Sequence, residues 1–534
     1  MPPVVVQKPL DGAPRDQTQP QTSWSGLLTH RDAEYLPEKG GESPYFKRHM
    51  SGALQGQRVY WEKLVRQALG GNKRRSLLAV QNLPINGTLE TGNYFVTMQL
   101  GTPPQNVTLL LDTGSSLFWV ECNTCADCTG LTERTAFQPQ LSLSIVTPGC
   151  GNCPDYEYGL CASSPNVADP SELDACFSLC AANQKQCYYG YSYGDGSQTG
   201  GYIQKDILTV PSSNSSAVFS NITFGCNYLA ADPNNPDTTQ LIVGPQISGL
   251  VGLGKSNYSV QNQLASAGVI SSTFSVCMAG VEGGGVFTLG NSSRVVPGMQ
   301  YIPMGTHPEF YNVTLAAISV GTTPLPIAPS VFFLQPPISR FRRANPFFLP
   351  DAIFDTGTSF TILADAAYQA LVQGFLRSAP VGYAPVYIDQ YGYIVSISGG
   401  PTGNAAPAPT AVISEPGVPR TNSTSAPNQL CFNIPVREIG PLGQIDVSGF
   451  PNVTFSFVNS EALLTVDPND YMYIFQSSDL TGLNQAILAC PTFISDGGGG
   501  TTILGEYTMR NHFFVFDTAA RRIGVAPVTC SNYT

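Results

Sequence analysis

Charge is scarce in this sequence, and histidine is scarcer. Only 12% of the 534 residues are Asp, Glu, Lys or Arg, and the four histidines are His30, His49, His307 and His512. None of the four sits in a nucleophile–base or metal-ligand pattern, so Ser–His and zinc hydrolysis are unsupported; His307 and His512 read as structural or surface residues. No run of about twenty apolar residues occurs that would span a bilayer as a helix. The opening MPPVVVQKPLDGAPRDQ lacks an apolar core of signal-peptide length. The glycine runs 283–285 and 497–500 lack the following Lys-Ser/Thr of a phosphate loop and read as turns. Basic residues concentrate at the start, where residues 1–75 hold 12 Lys and Arg against 7 Asp and Glu; the rest of the chain has 14 against 30. An acidic body argues against nucleic-acid binding.

Glycine (53) and proline (43) are abundant, and β-branched and aromatic residues recur in short runs. This composition predicts an all-β body with few helices, and the length predicts two lobes with added segments. The fourteen cysteines are Cys122, Cys125, Cys128, Cys150, Cys153, Cys161, Cys176, Cys180, Cys187, Cys226, Cys277, Cys431, Cys490 and Cys530. Their even number fits an oxidising compartment, and ten Asn-x-Ser/Thr sequons agree. Against the missing leader, the expectation is that a leader precedes residue 1 or that the reading frame starts further upstream. Cys122-x-x-Cys125-x-x-Cys128 also has the spacing of a thiolate zinc site; the cysteine count and the sequons favour disulfides and no metal.

From Asn93 the pattern has period two. Tyr94, Val96, Met98 and Leu100 alternate with Phe95, Thr97 and Gln99, Gly101–Pro104 turns the chain, and Val107–Leu111 returns to Asp112. This predicts a β-hairpin. A similar phrase recurs at Tyr311–Thr314, Val320–Pro324 and Ala352–Phe354, ahead of Asp355. Each half then carries another matched phrase, Gly249–Gly254 and Thr502–Gly505, so the chain contains a degenerate duplication and two facing β lobes are expected. Helices are predicted over 54–69 and 364–378, and 379–428, rich in Pro, Gly, Ala, Ser and Thr, reads as an exposed insertion.

Asp112-Thr113-Gly114-Ser115-Ser116 and Asp355-Thr356-Gly357-Thr358-Ser359 each place a carboxylate after an apolar strand, on a Gly-containing turn flanked by hydroxyls. One copy alone reads as an ordinary turn. Two copies in matching halves resemble the pepsin-like aspartic peptidases, in particular their nepenthesin-type plant branch. Tyr193-Gly194-Asp195-Gly196-Ser197 is similar to that family's flap hairpin, and Trp119 stands seven residues after Asp112 as in family members. Ile503–Gly505 through Val515–Asp517 resembles the closing segment, and the cysteine block after Trp119 resembles the nepenthesin insertion. The resemblance covers residues 90–530. Glu506 departs from it, since many relatives carry Asp there, and so do insertions at 326–350 and 379–428.

The resemblance implies an all-β, bilobal pepsin-like fold with an interlobe cleft. It implies residues 1–85 as a prosegment, 86–300 as an N-terminal lobe with a Cys-rich insertion at 121–190, and 301–534 as a C-terminal lobe. The basic start then reads either as a disordered tail or as an intramolecular inhibitor released in acid. Leu27–Asp32 is similar to the start of plant prosegments, and maturation is expected between about residues 75 and 90, near Asn72–Arg75. The implied function is acid-active endopeptidase chemistry on polypeptides through a water between Asp112 and Asp355, with no cofactor. Close like charges share one proton, so one carboxyl can accept a proton while the other donates. Ser115 and Thr358 are implied to bond the outer carboxylate oxygens, and Thr113 and Thr356 to brace the turns around Gly114 and Gly357. Tyr193, Gly194 and Asp195 are implied to close over substrate, with the Trp119 indole as partner of Tyr193. Cys431 is expected to pair with Cys490 and Cys277 with Cys530; the connectivity of the insertion stays open. The expected protein is a monomer, secreted to the apoplast or vacuolar. The alternative is a catalytically silent binding protein of the same fold, similar to plant xylanase inhibitors.

Overall fold

The computed structural model describes residues 81–87, 94–122, 136–149, 179–180, 187–193, 198–210, 217–229, 247–280, 283–291, 296–332, 352–388, 394–397, 429–435, 445–478, 485–497 and 502–533. These residues all fall within one compact unit. The helix expected over 54–69, the basic run at 72–75 and residues 401–428 lie outside them, as do Cys125, Cys128, Cys150, Cys153, Cys161, Cys176, Gly194 and Asp195.

The hairpin read from alternation forms as Tyr94–Leu100 paired antiparallel with Gln105–Asp112. Tyr94, Val96, Met98 and Leu100 are buried and their alternates half-buried, as one covered sheet face requires. Gly101 takes φ +86°, a left-handed conformation that glycine adopts without a Cβ clash. Gly249–Gly252 then runs parallel beside Leu109–Asp112 and antiparallel to Phe118–Glu121. A strand covered on both faces reads as an unbroken apolar run, which is why Leu109-Leu110-Leu111 does not alternate. These strands belong to a nine-stranded sheet that continues through Ala217–Leu229, Gln198–Val210, Cys187–Ser192 and Leu179–Cys180.

The second half repeats the device. Ala352–Phe354 runs parallel beside Ile503–Leu504, so the two matched phrases of the sequence are the neighbours of the two Asp-bearing strands. The rest of this lobe comprises a four-stranded and a five-stranded sheet around the helix Asp365–Ser378. That helix buries Ala367, Tyr368, Leu371, Val372 and Phe375, with Asp365 in its first turn and Arg377 in its last, each complementing the helix dipole.

A six-stranded sheet joins distant parts of the chain: Gln81–Pro84, Gly285–Leu289, Thr273–Met278, His512–Asp517, Arg522–Pro527 and Gln300–Pro303, in that spatial order. Phe274 stacks on Phe516 at 4.6 Å, and Tyr311 packs 4.7 Å from Phe516 while donating its hydroxyl to Leu253 O at 2.6 Å. Disulfides link Cys277 to Cys530, Cys431 to Cys490 and Cys122 to Cys226, and Cys187 is also disulfide-bonded. The Cys226 bond removes Cys122 from any thiolate metal site.

Strands occur inside two segments that the sequence reads as an insertion and as a prosegment. Within the expected insertion at 379–428, Ala384–Ile388 and Ile394–Ile397 are strands, and Ala384–Ile388 pairs with Gln429–Asn433. Val386 and Ile388 are buried there, an alternation masked by the neighbouring Pro, Gly and Ala. Within the expected prosegment 1–85, Gln81–Pro84 pairs in register with Val286–Leu289 and buries Leu83 completely.

Candidate active site

Asp112 ends its strand and Asp355 follows its own, so both carboxyls emerge where parallel strand pairs stop. Asp112 is 4% and Asp355 7% exposed. The two turns are tied to each other four times. Thr113 N donates to Thr356 Oγ1 at 3.1 Å and Thr356 N to Thr113 Oγ1 at 3.0 Å. Each threonine hydroxyl then donates across the pseudo-dyad, Thr113 Oγ1 to Phe354 O and Thr356 Oγ1 to Leu111 O, both at 2.9 Å. Each bond in one half has a counterpart in the other, which fixes the two carboxyls relative to one another.

Gly114 N donates to Asp112 Oδ1 and Gly357 N to Asp355 Oδ1, both at 2.8 Å. The other oxygens accept from hydroxyls: Ser115 Oγ donates to Asp112 Oδ2, and Thr358 Oγ1 to Asp355 Oδ2 at 2.6 Å. Both glycines are required by closeness. A Cβ on Gly114 would overlap the Asp355 carboxyl, and one on Gly357 would overlap that of Asp112. Burial first, and then the neighbouring charge of Asp355, pushes Asp112 well above the usual carboxylate range; the bonds from Ser115 and Gly114 pull it back. Such a pair holds one proton between two carboxyls and can both accept and donate one.

Trp119 Nε1 donates to Tyr193 OH at 2.7 Å, and Tyr191 packs 4.8 Å from the Tyr193 ring. Burial, followed by the charge of Asp112, keeps the Tyr193 phenol protonated. The Tyr193 side chain therefore feels the dyad directly while the indole holds its hydroxyl.

Beneath the Asp355 turn lies a polar cluster absent from the candidates read in the sequence. Glu506 N donates to Thr358 O at 2.8 Å and Tyr507 N to Ser359 O at 3.2 Å, which fastens the short helix Glu506–Met509 to the turn. The Glu506 carboxyl is fully buried, with the Ser359 side chain and the Arg510 guanidinium as polar neighbours; burial raises it well above the usual range. Arg510 lies 3.5 Å over the Tyr507 ring, and its Nε donates to Tyr94 OH at 2.9 Å; Tyr94 OH in turn donates to Ala279 O. His512, expected to be structural or at the surface, is buried and held by Arg510 O. No single sequence signal marks this cluster, apart from Glu506 standing where many relatives carry Asp.

Family models described as xylanase inhibitor N-terminal and xylanase inhibitor C-terminal match residues 94–291 and 406–527. An aspartyl protease family protein of Arabidopsis thaliana is 27% identical over 83% of this chain and 74% of its own. The aspartic proteinase nepenthesin-1 of Nepenthes gracilis is 32% identical over 53% of this chain and 56% of its own length. Among solved structures, basic 7S globulin from soybean covers 86% of this chain and all of its own at a TM-score of 0.53 and 16% identity, a likeness of fold alone. With the duplicated fold and the paired Asp-Thr-Gly turns, these matches establish that the chain belongs to the pepsin-like aspartic protease family, in its nepenthesin-type plant branch.

Proposed function

We propose that the chain is an acid-active aspartic endopeptidase, with Asp112 and Asp355 activating the water that attacks the scissile carbonyl. The observation that carries this reading is the matched hydrogen bonding of two buried carboxyls, each held by a turn N–H and a hydroxyl. One carboxyl takes a proton from water as its oxygen bonds to the carbonyl carbon. The other protonates the carbonyl oxygen, and collapse of the tetrahedral species with protonation of the amine releases both products. Tyr193 closes over an extended substrate and excludes water, and the residues flanking the bond are bulky and apolar.

The basic N-terminal segment acts as an intramolecular inhibitor, cut between about residues 75 and 90, and the mature enzyme works as a monomer, secreted or vacuolar. The incorporation of Gln81–Pro84 into the six-stranded sheet favours a cut before Gln81. Cleavage of denatured haemoglobin by acid-treated protein across pH 2–7, with and without pepstatin, tests the reading. Activity confined to acid and blocked by pepstatin supports it.

A second reading is a silent binding protein of the same fold, favoured by the match to family models described as xylanase inhibitor. It predicts tight binding to a glycan hydrolase and no proteolysis at any pH.

A further inference from the structure

Three successive backbone N–H groups clasp the Asp112 turn. Gly252 N donates to Leu117 O at 3.0 Å, Leu253 N to Asp112 O at 2.7 Å and Gly254 N to Ser115 O at 2.7 Å. The approach is close, since a Cβ on Gly254 would lie 2.4 Å from Ser116 Oγ. Where this clasp sits, Ser115 follows, and Ser115 Oγ is the hydroxyl that donates to Asp112 Oδ2.

The two halves hold their turns differently. Around Asp355 the grip on Thr358 O and Ser359 O comes from Glu506 N and Tyr507 N, which lie inside the helix Glu506–Met509. Leu253 and Gly254 instead fall between the strand Gly249–Gly252 and the helix Val260–Ser266, and their carbonyls find donors on side chains. Gln261 Nε2 donates to Leu253 O at 2.6 Å and to Gly254 O at 2.7 Å. Tyr311 OH donates to the same Leu253 O at 2.6 Å, and Gln261 Nε2 stands 3.2 Å from that hydroxyl.

Gln261 is fully buried in the first turn of its helix. Two carbonyls can be met only by the N–H side of the amide, which fixes its orientation. That orientation leaves Gln261 Oε1 buried with no hydrogen-bond partner among the described residues, so the amide contributes through its donors alone. The helix is itself anchored. The Gln263 side chain accepts from Thr223 N at 2.8 Å and donates to Thr223 O at 2.9 Å, and Asn262 Nδ2 donates to Lys255 O and Ser256 O, both at 2.9 Å. Gln261 therefore links a fixed helix to the clasp. The titratable groups that Asp112 faces are Asp355 and Tyr193, and Gln261 bonds to neither.

Resting on the peptidase reading, we propose that Gln261 is a positioning residue for Asp112: through Leu253 and Gly254 it sets where Ser115 stands, and so keeps the Ser115 hydroxyl on the Asp112 carboxyl. The test is the pH profile of kcat on one peptide for acid-matured wild type, Gln261→Met, Ser115→Ala and the double variant. Methionine matches the length of glutamine and removes both donors, while Leu253 O keeps its bond from Tyr311. A weakened Ser115 bond disfavours ionised Asp112, so the Gln261→Met profile should move upward by about half a pH unit, a part of the shift that losing the whole bond gives. In the Ser115→Ala background, where that bond is already gone, the same substitution should add no shift. Gln261→Glu keeps one donor while protonated and should move the profile less than Gln261→Met; it carries the same comparison if Gln261→Met fails to fold. A profile at its wild-type position, whether or not kcat or stability falls, overturns the proposal, and so does an equal shift with and without the Ser115 hydroxyl. Failure of wild type to cleave any peptide refutes the peptidase reading itself, and this proposal with it.

Discussion

Replacing Thr113 with valine keeps the shape of the side chain and removes one hydroxyl from the brace between the two turns. That hydroxyl accepts from Thr356 N and donates to Phe354 O, and both partners are buried. Valine therefore strands one N–H and one carbonyl. Each stranded buried group costs about 1–3 kcal/mol, so the variant should lose about 2–6 kcal/mol of the roughly 5–15 that a typical domain has. Because the same bonds set the spacing of Asp112 and Asp355, cleavage should fall together with stability. Urea unfolding in an Asp112→Asn background, where self-digestion is absent, reads the stability term, and Thr113→Ser should restore most of it. Loss of less than about 0.5 kcal/mol, with cleavage intact when Asp112 is present, would refute the role assigned to the brace.

Ser115→Ala removes a bond that favours the ionised form of Asp112, so Asp112 rises further; a charge-assisted bond of about 1.5 kcal/mol moves the pH–rate profile upward by about one unit. Glu121 is fully buried, its carboxyl oxygens have no hydrogen-bond partner among the described residues, and burial pushes it up to about 8. The folded state then binds more protons than the unfolded state from the ordinary glutamate range up to about pH 8. Stability falls across that window by up to about 1.4 kcal/mol per pH unit, and Glu121→Gln should flatten the fall in pH-dependent melting. Arg510→Met removes the donor to the buried Tyr94 hydroxyl and the cation beside Glu506, so Glu506 rises further and the stranded hydroxyl should cost about 1–3 kcal/mol on thermal or urea unfolding.

The dyad was legible because its signals are local and repeated. A turn-forming Asp-Thr-Gly after an apolar run occurs twice, and the parallel neighbours Gly249–Gly252 and Ile503–Leu504 are themselves a matched phrase. The Trp119–Tyr193 pair came from the family resemblance. The Tyr94–Arg510–Glu506 cluster was not legible: Tyr94 and Arg510 lie 416 residues apart, and by alternation alone Tyr94 is simply one more inward residue of its strand. The strands at 384–388 and 394–397 were hidden by a composition typical of loops, because strand pairing with Gln429–Asn433 overrides local propensity.

The central claim, that Asp112 and Asp355 act as one proton-sharing pair on a bound water, is tested most directly by comparing acid-matured wild type with Asp112→Asn and Asp355→Asn on one peptide, followed by mass spectrometry of the products. The account predicts a single cut by wild type and loss of at least about a thousandfold in rate for either variant, both remaining folded with their disulfides intact. Cleavage at the wild-type rate by either variant would contradict it.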